Sequence, residues 1–173
     1  MKILKVFPLL LVTAVCFSAA NPPRVSRDSV VSGETGLENH LKGLWTDLTV
    51  IGRARGVYLE GYGVVFTAEV TVVTAPILMM GPPLTQQQKD QIKATKLQRL
   101  PEVKNALKQE LAALAASVDV PPEENVVIAL LLYRYPGEEK LPVQVIVQAP
   151  RKKLLDAKGT AALDQVIHVS EVY

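Results

Sequence analysis

The stretch from Tyr62 to Thr74 constrains the fold more than any other part of the chain. Tyr62, Val64, Phe66, Ala68, Val70 and Val72 fall on one side of a period-two pattern. Gly63, Val65, Thr67, Glu69, Thr71 and Val73 fall on the other. One apolar side and one mixed side predict an antiparallel strand packed on a single face. Arg53 to Leu59 is its expected partner, with the turn near Glu60-Gly61.

A sheet of this kind needs helices to cover its apolar side. Leu37, Leu41, Leu44 and Leu48 recur at helical spacing from Gly36, with Trp45 beside the stripe, and Gly52 and Gly56 are expected to break that helix. Ala75 to Leu84 holds three prolines and a glycine and reads as a loop. Thr85-Gln-Gln-Gln88 has the form of a capping box, so a helix is expected from there to about Arg99. Pro101 then suits the first turn of a second helix, with Val103, Leu107, Leu111, Leu114 and Val118 as its buried stripe. Val126 to Tyr135 is apolar on both sides, the pattern of a central strand covered above and below. It pairs as a hairpin with the alternating run Leu141 to Ala149. Short helical pieces from Pro150 to Leu163, interrupted by Gly159, and a last strand from Val166 to Tyr173 complete the order. The sequence therefore predicts an α+β fold: a mostly antiparallel sheet of about five strands with helices packed on one face.

The amino end carries an address. Lys2 and Lys5 precede an uncharged apolar run from Val6 to Phe17, and Ser18-Ala19-Ala20 supplies small residues for cleavage before Asn21. Residues 1–20 are thus expected to be a secretory signal, 21–32 a flexible leader and 33–173 a single domain. The apolar run falls short of the roughly 20 residues a membrane span needs. An uncleaved anchor and acylation at Cys16 are the competing readings, although Val15 is bulky for lipoprotein processing. The expected location is periplasmic or extracellular, or membrane-anchored if the signal is retained or Cys16 is acylated.

Cleavage would also remove the one cysteine and two lysines. The chain has 19 Lys and Arg against 17 Asp and Glu, so the remainder would be neutral and thiol-free. A neutral chain gives no net field for nucleic acid or anionic membrane, so neither is expected as the main partner. No transmembrane span is expected after the signal.

The stretch Gly56-Val-Tyr-Leu-Glu-Gly-Tyr-Gly-Val-Val-Phe-Thr-Ala-Glu-Val70 resembles that of uncharacterised exported bacterial proteins. So does Leu141-Pro-Val-Gln-Val-Ile-Val-Gln-Ala149 followed by Arg151 and Leu154-Leu155. The resemblance runs from Leu37 onward and implies export, with no activity, cofactor or site residue.

Chemistry is thinly supplied. His40 and His168 are far apart and lack zinc-binding spacing, so no metal site and no cofactor is expected. No Gly-x-Ser-x-Gly elbow is present, and Gly61-x-Gly63 lacks the third glycine and following helix of a dinucleotide loop. Glu60 and Glu69 are the acids nearest a well-marked strand, and paired carboxylates can cleave glycosides. Glu69 between Thr67 and Thr71 also fits an ordinary solvated position. Lys89, Lys93, Lys96, Lys104 and Lys108 form a basic stripe if the two helices stay in phase; Arg151-Lys152-Lys153 is a second basic run. No catalytic residue is assigned. The expectation is an exported binding or assembly module for an envelope protein, lipid or polymer. The alternative is an exported hydrolase built from scattered Ser, His and carboxylate groups.

Overall fold

The computed structural model describes residues 25–74 and 84–173. The signal expected at 1–20 and most of the loop expected at 75–84 lie outside the described residues.

Helix α1 spans Arg27–Leu44. It starts nine residues before Gly36, so Arg27 to Ser32 is helix and not leader. The Ser26 hydroxyl caps it by accepting from the Asp28 amide, and Val30 and Gly33 extend the buried stripe of Leu37 and Leu41 upstream. The helix ends before Trp45, so Gly52 and Gly56 belong to strand β1, Thr49–Leu59. Gly56 has a packing role there. A Cβ at this position would come within 2.5 Å of Val30 and 2.9 Å of Phe66, so α1 can lie close on the sheet only over a bare backbone.

The turn at Glu60 to Tyr62 leads into β2, Gly63–Thr71, antiparallel to β1. Gly63 has a φ of 132°, and a Cβ there would sit 1.9 Å from the Asn125 carbonyl oxygen. The Gly61-x-Gly63 pair is therefore a turn and close-approach device, and β2 follows it.

One helix, α2, runs from Gln86 to Ser117 without a break. Its start is the capping box: the Thr85 hydroxyl accepts from the Gln88 amide while the Gln88 side chain accepts from the Thr85 amide. The second helix expected at Pro101 does not exist, because Pro101 sits inside α2. An interior proline sacrifices one backbone bond and costs about 3 kcal/mol. Leu100, Val103 and Leu107 are buried around it, and their packing on the sheet outweighs that loss.

Strand β3, Asn125–Leu132, returns parallel to β2, and β4, Gln144–Pro150, pairs antiparallel with β3. Two short helices, α3 (Arg151–Asp156) and α4 (Thr160–Val166), lead to β5, His168–Val172, antiparallel to β4. The sheet order is β1-β2-β3-β4-β5, mixed but mostly antiparallel. The core lies between this sheet and the helices, with Val64, Phe66, Val70, Ile128, Leu130 and Val147 pointing into it. Val127 and Ala129, on the other side of β3, lie outside that core. The cover expected below β3 is missing among the described residues; the helices pack on one face only. No helix among the described residues is long and apolar enough to cross a membrane.

Candidate functional site

The uncovered face is an ordered grid, because strand pairing carries each side chain into line with its neighbours. One row reads Ile51, Glu69, Leu131, Gln144, Val172 across all five strands. The next reads Arg55, Thr67, Ala129, Ile146, Ser170. The third reads Val57, Val65, Val127, Gln148, His168. The central column, from β3, is wholly apolar. Val57 is 51% exposed and Leu131 42%, whereas Val127 is 4% exposed. Tyr62 spans the end of this face by donating its hydroxyl to Gln148 Oε1 at 3.3 Å. An open antiparallel sheet ordinarily shows polar residues to water; this one exposes Ile51, Val57, Leu131 and Val172, while Val127 and Ala129 on its middle strand are buried.

The β1 edge is a poor docking site by comparison. Strand β2 is interior, flanked by β1 and β3, so Tyr62 to Thr74 cannot accept an added strand. At the β1 edge, Glu34 Oε1 accepts from the Gly56 amide at 2.8 Å and Arg27 Nη1 donates to the Gly56 carbonyl at 3.2 Å. Side chains from α1 thus occupy backbone groups that a new strand would need.

The candidate chemical groups are dispersed. His40 Nδ1 lies 3.1 Å from Glu110 Oε2 between α1 and α2, while its buried Nε2 has no partner among the described residues. Burial raises the Glu110 pKa, and the neighbouring His40 opposes that rise. No hydroxyl is hydrogen-bonded to His40 among the described residues, so the pair lacks a nucleophile. His168 is exposed on β5, opposite Gln148. Glu60 sits in the β1–β2 turn and Glu69 six residues along β2 from Gly63, which separates them by about 20 Å at the strand rise. They cannot act as a carboxylate pair. No group of three or more His, Cys, Asp or Glu among the described residues is placed to hold a metal.

The basic stripe also dissolves into separate structural contacts. Lys96 is 1% exposed and bonds Glu138 Oε2 at 2.8 Å, with Glu138 5% exposed. Its Nζ also lies 4.4 Å from the centre of the Tyr135 ring and donates to the Tyr133 carbonyl. The Tyr135 pKa is raised, first by burial and then by Tyr133 and Glu138. This cluster pins the loop after β3 onto α2. Lys104 pairs with Glu171 and Lys108 with Asp164, tying α2 to β5 and α4. Arg151 donates to the carbonyls of Ala115 and Val120 and fastens the start of α3 to the end of α2.

Among the described residues the hollows lie at or below the small end of ligand sites. The space between Lys89, Lys93, Tyr135 and Gly137 holds about 180 Å³, and the groove between α1 and β1 about 290 Å³. Small-molecule sites commonly begin near 300 Å³. The sheet face is therefore the strongest candidate. Sequence reading missed it because a face is assembled from five strands; the one available signal was the two-sided apolarity of Val126 to Tyr135.

No family model, curated protein or solved structure matches this chain.

Proposed function

We propose that this chain is an exported, non-catalytic binding or assembly module that docks through the helix-free face of its sheet. One observation carries the reading: β3 is apolar on both sides, while helices cover only one. The Lys2–Ala20 pattern supports the exported address. The scattered histidines and acids favour binding over hydrolysis. A photocrosslinking residue at Leu131 or Val57, in cells expressing the full chain, should yield a defined adduct, and one at Gln87 on α2 should not. Equal silence at all three positions would remove the docking reading. For the address, amino-terminal sequencing should begin at Asn21; an intact Met1 on cytosolic material would overturn it.

A further inference from the structure

We infer that the occupant of this face is a second copy of the same chain, related by a twofold axis running along β3; this rests on the docking reading above. The middle strand of an odd-numbered sheet is the natural position for such an axis. Turning one sheet about it sets Val127, Ala129 and Leu131 on their own counterparts, at the sheet-to-sheet distance of about 10 Å. It also sets β1 over the partner's β5 and β2 over the partner's β4. Ile51 then meets Val172, and Glu69 meets Gln144.

Charge selects this axis over its alternative. An axis across the strands, through the middle row, would press Arg55 against its own copy. The axis along β3 places Arg55 over Ser170 and brings no like charges together. Arg55 and Glu69 leave the rest of the face electrically balanced. That balance offers no basic cluster to an anionic lipid surface.

Size is sufficient as well. Five strands about 4.8 Å apart, each contributing about six residues at about 3.3 Å per residue, present about 500 Å² per copy. Two copies together bury about 1,000 Å², near the lower limit for a specific interface. A reversible dimer follows, not a permanent one.

Sedimentation velocity of the full chain, as the cell processes it, should show a concentration-dependent dimer. Leu131→Asp should weaken dimerisation by about a hundredfold, since it sets two carboxylates against each other across the axis. Ile51→Glu and Val172→Arg lie on exposed positions, and each alone should weaken it by about tenfold. Combined in one chain, they should restore much of the loss, because Glu at 51 then faces Arg at 172 of the other copy. Circular dichroism should show all four variants folded. A wild type that stays monomeric at every concentration overturns the proposal, as does a double variant no tighter than its singles. The docking reading is judged separately: a Leu131 crosslink to a different protein or to lipid keeps that reading and rejects the second copy.

Discussion

The two faces of the sheet are built from the same five strands and differ in what they ask of each residue. On the covered face, Val64, Phe66 and Val70 are fully buried beneath α1 and α2. On the open face, their strand neighbours Val65, Thr67 and Glu69 remain partly accessible. Under the docking proposal, alternation along β2 divides stability from association: one set of side chains builds the core, and the other stays accessible. A substitution that respects this division should change only one of the two properties.

The sharpest contrast is Phe66 against Thr67. Phe66→Ala should destabilise the chain by about 4 kcal/mol, because it empties the space that Val30, Gly33 and Gly56 close around. Thr67→Ala should stay within about 0.5 kcal/mol of wild type. Urea unfolding of both variants measures this directly. Comparable losses at the two positions would show that the open face is itself part of the folding core.

A polar contact on the covered side tests the same division. Lys96→Ala strips the partner from a Glu138 carboxylate that is buried beside it, and should cost about 3 kcal/mol. Replacing both residues at once, Lys96→Met with Glu138→Leu, should recover most of the loss, since no charge is then left buried. Thermal unfolding of the single and double variants distinguishes the two outcomes. If the double variant is as unstable as the single, the pair is also needed to shape the loop between β3 and β4.

These contrasts explain what could be read from the chain and what could not. The Thr85 cap and the alternation from Tyr62 to Thr74 are local, so a few consecutive residues carry the whole signal. Pro101 is a local signal too, and it misleads, because burial of Leu100, Val103 and Leu107 overrides it from outside the helix. The start of α1 was obscured by polar residues whose side chains serve β1, as Arg27 and Glu34 do at Gly56. Lys96 and Glu138 are 42 residues apart, and nothing in either segment announces the other. The open face depends further on register. Ile51, Glu69, Leu131, Gln144 and Val172 become one row only when four strand pairings are known, one of them parallel.

The smallest expected effect lies on the covered side, in the helical layer, and depends on pH. Glu110 is buried between α2 and α1, and burial raises its pKa above the ordinary 4.5, with His40 pulling in the opposite direction. An acid whose folded-state pKa is raised holds its proton more tightly when folded than when unfolded. Its contribution to stability is therefore full below pH 4.5 and declines as pH climbs through the raised value. Glu110→Gln keeps the shape and removes the titration. Its melting temperature should gain on wild type as pH rises from below 4.5 to neutrality. A Glu110→Gln variant that instead loses ground at neutral pH would mean that the ionised carboxylate is held by His40 strongly enough to offset its burial. The contact between α1 and α2 would then be an ion pair that strengthens the covered layer.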